Sequence, residues 1–298
     1  MPAALPSGLR GAACSGLLAG TLATISAQDR APALVDLTAR AGAYVQRVSK
    51  EYATLLGDER YEQQFVTGSP LREPRRLLVS EVLFVWLAEE QSWLTARIVK
   101  RADGKPVADS ETRLERLLTD SSTSWPVRMR ALRDEGARFN IGRLERNFGD
   151  PMLALQFLDP HTQPRFEFKL EGRERIGDRS AWRVSFKERT YPTLIRSNGR
   201  DVLATGDIWL AGDDQAVLRT RVSLVDRYVD LRIRATIRVT YRSESRFGIW
   251  LPAEMRETYE QDGRGVYNGR IAQFNDRVEC VATYSNFRRF ETGARLVN

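Results

Sequence analysis

Histidine and cysteine are almost absent from this sequence. Among 298 residues there is one histidine, His161, and there are two cysteines, Cys14 and Cys280. A Ser-His-Asp or Cys-His catalytic arrangement would have to use His161, which lies between two prolines in a predicted loop. So few histidines and cysteines also exclude the usual zinc sites. We therefore expect no catalytic residue, no metal ion and no cofactor.

Short catalytic and phosphate-binding motifs are absent as well. The stretch "GRGVYNG" (residues 263–269) lacks the spacing of a phosphate loop and indicates a hairpin connection between strands. A metal site made of carboxylates alone is left open, with Gly212-Asp213-Asp214 as its local candidate, although this tripeptide is more typical of a turn. Paired acids from distant strands, as in glycoside hydrolysis, are also left open.

No long hydrophobic run follows the N-terminus. The densest one, "VLFVWLA" (residues 82–88), is too short to span a bilayer. At the N-terminus itself, Arg10 precedes an uncharged run of small and apolar residues that ends at Ala27, which predicts a secretory signal peptide over residues 1–27. The mature chain is then periplasmic or secreted, without a transmembrane segment. The alternatives are an N-terminal helix of the mature domain, or a lipoprotein anchored at Cys14, which lies on the wrong side of the apolar core.

Lysine is scarce, with five residues against 41 arginines and a net charge of +7. The arginines are spread along the chain and interleaved with acids, whereas nucleic-acid binders concentrate their charge on one face, so no nucleic-acid partner is expected. A genomic bias towards arginine codons explains the excess. The alternative is a surface that meets phosphate groups, which makes an anionic membrane surface a candidate partner through Arg side chains.

The clearest arginine pattern is a stripe in "LRIRATIRVTYR" (residues 231–242), where apolar residues alternate with Arg232, Arg234, Arg238 and Arg242. If the next strand pairs beside it, Glu254 and Glu260 are expected to face these arginines and neutralise them. An anion-binding patch is the alternative. Cys280 alternates in the same way with Val278, Ala282 and Tyr284. We expect a buried small side chain there, and a reactive thiol is the alternative.

The chain opens with a helical period and then changes to a period of two. Apolar residues recur every three or four positions from Leu34 to Leu55, which predicts a long amphipathic helix with Gly57 as its stop. Strands are predicted over residues 59–66, 76–88 and from Ser92 to a turn at Asp103-Gly104. Three helical segments are predicted within residues 109–160, with cap candidates at the start of the first two, Pro126 near the start of the second and a proline closing the third.

From Arg165 onward the chain is almost all strand. Short turns between consecutive strands imply antiparallel pairing, and Asn198-Gly199 is the strongest hairpin signal. The predicted fold class is α+β: a large curved antiparallel sheet of about ten strands, a half-barrel, with the long N-terminal helix and the middle helices packed on its concave face. We expect residues 28–298 to form a single domain.

Specific phrases in these strands resemble a known family. They are "WRVSFKERTYPTLI", "GDIWLAGDDQAVLRTRV", "IRVTYRSESRFGIWLPAEMRETY" and "YSNFRRF", and they resemble the periplasmic lipoprotein-carrier (LolA/LolB-like) superfamily, in an uncharacterised bacterial branch. The resemblance covers residues 165–290 best and the first helix loosely. It implies a half-barrel whose mouth is closed by helices over an apolar groove that holds acyl chains.

The resemblance supplies no short binding motif, so candidate residues come from the inward-facing strand positions. The residues expected to line the groove are Phe166, Phe168, Trp182, Phe186, Ile233, Ile237, Met255 and Tyr259. A lipid, an acyl chain or a lipidated protein is the expected partner of a non-enzymatic carrier or sensor. Two other functions are left open: a cell-envelope structural or interaction module with a solid core, and an enzyme with dispersed catalytic acids.

Overall fold

The computed structural model of this protein describes residues 31–66, 74–87, 92–120, 122–142, 146, 149–197, 199–227, 230–291 and 295–297. The predicted signal peptide (residues 1–27), together with Cys14, lies outside the described residues. Asn198 of the predicted hairpin also lies outside them, although two short strands flank it. From Ala33 onward the described residues form one compact unit, to which all of the following elements belong.

The helices are few and are concentrated before the second half of the chain. They are α1 (Leu34–Tyr52), α2 (Ser110–Thr119), α3 (Trp125–Ala137) and the single turn α4 (Leu153–Gln156). The strands of the first part are β1 (Leu55–Val66), β2 (Arg75–Leu87), β3 (Ser92–Ala102) and β4 (Lys105–Pro106). Those of the second part are β5 (Phe166–Ile176), β6 (Arg179–Glu188), β7 (Arg196–Ser197), β8 (Arg200–Asp201), β9 (Ala204–Ala211), β10 (Val217–Arg227), β11 (Leu231–Glu244), β12 (Ile249–Tyr267), β13 (Arg270–Glu291) and β14 (Arg295–Val297).

The strands form one open, wholly antiparallel sheet in the order β4-β3-β2-β1-β13-β12-β11-β10-β9-β6-β5, with β14 beside β13 and a separate β7-β8 hairpin. The first and last long strands of the chain meet at the centre of the sheet, where β1 pairs with β13, for example Tyr61 with Ala282. The predicted fold class is confirmed, as an open curved α+β sheet. The strand estimate of about ten was slightly low, because the sheet has 12 strands within the described residues.

One face of the sheet, here called the inner face, carries the main core. Alternation along β11 sends Ala235, Ile237, Val239 and Tyr241 to this face, all at most 4% exposed, as a strand with one covered face requires. Helix α1 and the segment of residues 149–165, which contains α4, pack against the inner face, and we call these two pieces the cover.

Helix α3 departs from the predicted arrangement, because it does not join the helices on the inner face. Its buried Met129 and Leu132 belong to a second apolar cluster. The strand residues of that cluster alternate with the inner-face positions of β1, β2 and β3; they are Leu56, Leu83, Val85, Leu87, Leu94, Ala96 and Ile98. At Gly136 the helix lies so close to β3 that a Cβ would stand 2.9 Å from the carbonyl oxygen of Arg97.

Two predicted element boundaries are wrong. Helix α1 ends at Tyr52, and Gly57 lies inside β1 rather than at a helix stop. Glycine is required at position 57 by a contact with a strand distant in sequence, since a Cβ there would come within 2.7 Å of the Phe287 ring. The predicted helix over residues 150–160 contracts to one helical turn followed by hydrogen-bonded turns.

Candidate functional site

The inner face beneath α1 is packed by large aromatic side chains. The Tyr52 ring stands edge-on to Phe84 and Trp93, with centroids 6.0 and 6.2 Å away. Its hydroxyl donates to the carbonyl oxygen of Trp250, near the start of β12. Because one residue ties the helix to strands on both sides of the sheet centre, α1 is held at its C-terminal end by directional contacts as well as by apolar burial.

The second piece of the cover is joined both to α1 and to the sheet. Gln163 Nε2 donates to the carbonyl oxygens of Thr38 and Leu158, each at 3.0 Å. Tyr241 donates its hydroxyl proton to the carbonyl oxygen of Pro151 at 2.7 Å. Gly42 of α1 lies where a Cβ would be 2.9 Å from Leu158 O, so the two pieces touch backbone to backbone.

A cluster of charged and polar side chains is buried in the middle of the inner face. Its first members are Glu59 of β1 and Arg97 of β3, which form a two-pronged ion pair that includes an Nη2–Oε1 distance of 2.8 Å. Arg97 also stacks over the Tyr61 ring, 4.2 Å from its centroid. Burial by itself would lower the pKa of Arg97, but the Glu59 carboxylate outweighs burial and raises that pKa.

Glu257 of β12 is the second buried acid of this cluster. It accepts a hydrogen bond from the Tyr61 hydroxyl at 2.8 Å and one from the Tyr259 hydroxyl at 2.5 Å. Burial, and secondarily the carboxylate beside them, raises the pKa of both tyrosines well above its usual value. Gly149 lies against the same carboxylate, since a Cβ there would be 2.3 Å from its Oε1. The carboxylate is therefore enclosed by donors and backbone.

Arg146 completes the cluster. It is 6% exposed and donates to Gln63 Oε1 at 2.6 Å, to Ile141 O at 2.7 Å and to Cys280 Sγ at 2.8 Å. Burial, and secondarily Glu257, raises the pKa of the Cys280 thiol to about 12 despite the nearby guanidinium. Cys280 is thus a buried thiol, as its alternation in the sequence predicted.

A small cavity of about 130 Å³ lies beside this cluster. Polar and charged residues dominate its lining, including Arg97, Arg133, Asn140, Arg146 and Asp150, with Trp93 on one wall. Ligand pockets are usually about 300–1,000 Å³ and mostly apolar, so this cavity is too small and too polar for an acyl chain. Among the described residues, Asp150 is the only carboxylic acid that lines it, and burial raises the pKa of that acid although Met152 and Thr95 donate hydrogen bonds to it.

The residues predicted to line a groove all lie on the inner side of the core, in two groups. Phe166 and Phe186 pack against Phe157 of the cover, with centroids 4.7 and 5.3 Å from its ring, and Phe168 lies beside Phe166 with centroids 6.1 Å apart. The remaining residues are the buried Ile237, Met255 and Tyr259 and the half-buried Trp182 and Ile233. In this structure the buried members pack against core neighbours instead of lining an opening, and their role as ligand contacts stays a prediction.

The sequence did not identify the buried polar cluster. Its members lie far apart in the chain, and the Tyr61–Glu257 hydrogen bond joins residues 196 positions apart. The only available signal was polar residues at inward positions: Glu59 and Gln63 alternate with Tyr61 in β1, and Glu257 alternates with Met255 and Tyr259 in β12. A buried strand that places acids on its apolar side indicates partners elsewhere in the fold.

The arginine stripe of β11 lies on the outer face and is neutralised in part. Arg234 is opposite Glu260, as predicted, and bonds it at 2.8 Å and Asp262 at 2.6 Å. Glu254 is directed elsewhere, because it is opposite Thr240 and pairs with Arg256 of its own strand. Gly212, Asp213 and Asp214 form the predicted turn.

The remaining polar candidates form ordinary surface contacts. Asp213 and Asp214 both pair with Arg179. His161 is largely exposed, with Nδ1 2.9 Å from Asp159 Oδ1. In the part of the chain that the structure describes, no group of three or more His, Cys, Asp and Glu side chains is arranged to hold a metal ion, and no helix is long and apolar enough to cross a membrane.

Comparison with known proteins returns remote structural similarities. No family model matches the sequence, and no curated protein matches it. Among solved structures, a DUF1329 family protein from Desulfovibrio piger is 9% identical with a TM-score of 0.37, over 87% of this chain and 95% of that one. A LolA superfamily protein from Nitrosomonas europaea is 9% identical with a TM-score of 0.33, over 88% and 95% of the two chains.

A third solved structure is a domain named as an outer membrane lipoprotein-sorting protein, from Vibrio parahaemolyticus. It is 10% identical with a TM-score of 0.34, over 86% of this chain and 95% of that one. The superfamily printed in the name of the Nitrosomonas europaea protein is the one that the sequence phrases resemble. At such identities and TM-scores the matches support no functional inference, which has to come from the residues of this chain.

Proposed function

We propose that this protein is an exported, non-enzymatic carrier or sensor that holds a lipid, an acyl chain or a lipidated protein against the inner face of its sheet. The observation that supports the proposal is the way this face is covered. A broad apolar surface built from β1–β3, β5, β6 and β9–β13 is covered mainly by α1 and by the largely irregular segment of residues 149–165. Such a cover can separate from the sheet without breaking the strand pairing.

The filled interior defines the state that the structure represents. Ile237 is 1% exposed and Met255 is fully buried, so no acyl chain fits until the cover moves. Each CH₂ group transferred from water to the apolar face contributes about 0.8 kcal/mol, so a long acyl chain can offset the contacts that the cover loses. The packed structure is then the closed state of the carrier.

The same filled interior favours a second candidate function, a cell-envelope structural or interaction module whose core never opens. An enzyme is less well supported, because the described lining of the cavity includes one acid rather than the pair that acid–base chemistry commonly uses. Two functions therefore remain, a lipid carrier and a structural module. They differ in whether the cover opens for an apolar ligand.

Titration with a fluorescent fatty acid tests the proposal on the wild type and on Ile237→Trp. The larger indole has no free space in the closed state, so we expect the variant to lose about 1–3 kcal/mol of unfolding free energy through overpacking. A carrier binds the probe saturably, and the variant binds it more weakly because the indole occupies the acyl site. If the wild type shows no saturable binding and the variant is destabilised, the carrier role is wrong and the structural module stands.

A further inference from the structure

The longest hairpin of the sheet extends beyond its neighbours. The last residue of β12 with a partner in β11 is Gly263, opposite Leu231, and the last residue of β13 with a partner in β1 is Arg277, opposite Val66. Within the described residues, β12 and β13 pair only with each other from there to Tyr267–Arg270. We call residues 264–276 the arm. At about 3.3 Å per residue it extends roughly 15 Å beyond the sheet.

The turn at the tip of the arm is well defined by its backbone. Asn268 and Gly269 have φ angles of 50° and 74°, the left-handed pair that a two-residue type I′ hairpin requires. Beside this turn, Val266 lies directly opposite Ile271, and the two side chains are 73% and 75% exposed. Two β-branched apolar side chains therefore share one face of a projecting tip, where burial inside this chain does not require them.

Arginines surround this apolar pair. Arg264 alternates with Val266 and so lies on the same face, and Arg270 adjoins Ile271. Where the arm leaves the sheet, Arg227 and Arg232 lie directly opposite each other on β10 and β11, an arrangement of like charges that weakens strand pairing. All four are exposed, and none of them forms a salt bridge with another described residue.

The acids near the arm do not cancel this charge. Asp262, at the base, is already bonded to Arg234 at 2.6 Å. Glu260 lies 3.5 Å from Arg277, on the sheet side of the arm. The acids that remain close to the arm are Asp276, half-buried near its base, and the exposed Asp230. The tip thus combines a small apolar wedge with arginines that have no partner among the described residues.

The geometry points to the arm as a membrane-contact element: Val266 and Ile271 enter the interface of an anionic phospholipid bilayer while Arg227, Arg232, Arg264 and Arg270 bind its phosphate groups. Apolar insertion and charge attraction are each weak alone, and reversible surface binding needs both. Arginine suits this position because its guanidinium forms paired hydrogen bonds with phosphate. The partner is a lipid surface and not a protein groove, since the two exposed apolar side chains described at the tip, Val266 and Ile271, are flanked by Arg264 and Arg270.

Vesicle flotation tests the inference on the full chain, with the same N-terminus in every variant. The wild type should bind vesicles of phosphatidylcholine with phosphatidylglycerol roughly tenfold more tightly than phosphatidylcholine alone, and added salt should remove the difference. The double variant Val266→Thr/Ile271→Thr keeps β-branching, and it should bind the anionic vesicles about tenfold more weakly. Val35→Thr changes another apolar residue, 71% exposed on α1, and should bind like the wild type.

The charge contribution is tested by Arg264→Gln/Arg270→Gln, with Arg60→Gln of the outer sheet surface as the matched control. The tip variant should lose the preference for anionic vesicles, and the control should keep it. Equal binding of neutral and anionic vesicles by the wild type, no binding to either, or binding unchanged by the tip variants would overturn the inference. Vesicle binding is measured without fatty acid, so failure here is separate from failure of the carrier role.

Discussion

At the residue scale, the ion pair of Glu59 and Arg97 is the part of the interior most sensitive to substitution. The Glu59 side chain has no exposed surface, and that of Arg97 is 14% exposed. Water therefore has little access to the pair, and the loss of one partner would leave a largely buried charge without its counterion. The pair restricts which residues the inner face tolerates beside its apolar positions.

We expect Glu59→Gln to lower the free energy of unfolding by about 3–5 kcal/mol, because Arg97 stays charged and loses its carboxylate. The double variant Glu59→Leu/Arg97→Met removes both charges and should recover most of this loss. Urea unfolding of the wild type and of both variants measures these differences. A single variant within about 1 kcal/mol of the wild type would show that water reaches the pair and that the cluster is not dry.

Cys280 should be unreactive in the folded chain. It is 2% exposed, and burial raises its pKa to about 12, so at pH 8 roughly one thiol in 10⁴ is ionised. In a Cys14→Ser background, a thiol reagent should label Cys280 slowly under native conditions and rapidly in denaturant. Fast native labelling would place the thiol at a surface and contradict the position of β13 in the core.

At the element scale, the contact between α1 and residues 149–165 affects how easily the cover separates from the sheet. Gly42 is the closest approach of the two pieces, with Leu158 O and Pro160 Cγ at 2.9 and 3.2 Å from a Cβ built there. In an isolated helix, Gly→Ala would stabilise by about 1 kcal/mol. Here the methyl group would meet a backbone carbonyl that cannot rotate away, so packing opposes helix propensity.

Gly42→Ala should therefore lower the melting temperature, and the carrier hypothesis adds that it tightens fatty-acid binding because the closed state is weakened. Gln46→Ala, at an exposed position of the same helix, changes propensity without touching the cover and serves as the control. Thermal melts and the fatty-acid titration give both readings. A raised melting temperature in Gly42→Ala would mean that α1 can shift freely away from Leu158.

The elements differ in how far the sequence could predict them. Strand β11 was predicted closely because its alternation reports directly on one covered and one solvated face. The end of α1 at Tyr52 was not predicted, because Gly57 was interpreted as the helix stop. Gly57 is instead required by the Phe287 ring, which is 230 positions away in the chain. Helix α3 was assigned to the wrong face because its apolar residues show that it packs, but not against which side of the sheet.

The candidate site was harder to predict from the sequence than the strands were. Apolar alternation identified inner-face positions such as Ile237 and Met255, yet periodicity cannot tell a filled core from an open groove. The Glu59–Arg97 pair spans 38 residues and the Tyr61–Glu257 bond spans 196. Such partners are set by strand order, which depends on the pairing of β1 with β13 across nearly the whole chain.

At the scale of the whole molecule, the interior should make stability fall at alkaline pH. Burial is the main cause of the raised pKa of Tyr52, Tyr61, Tyr259 and Tyr284. Each keeps its proton in the folded chain at a pH where the unfolded chain has lost it. Their contribution is therefore complete below the unfolded pKa of about 10 and decreases above it, by up to about 1.4 kcal/mol per group and pH unit.

Urea unfolding at pH 8 and at pH 10.5 tests this expectation, with the ultraviolet absorbance of tyrosinate as a second reading. The midpoint should fall between the two values, and the tyrosinate signal of the buried rings should appear only as the chain unfolds. Titration of all tyrosines in the folded state near pH 10 would contradict a dry inner face.

The whole-molecule proposal is that the filled inner face is the closed state of a container for acyl chains. Mass spectrometry of small molecules extracted from gently purified chain, recovered from an exporting host without detergent, tests it most directly. The proposal predicts lipid or acyl species in a stable ratio to protein, with a lower ratio in Ile237→Trp prepared in parallel. Extracts without lipid, together with no uptake after incubation with phospholipid vesicles, would contradict it and identify the chain as a module with a permanently filled core.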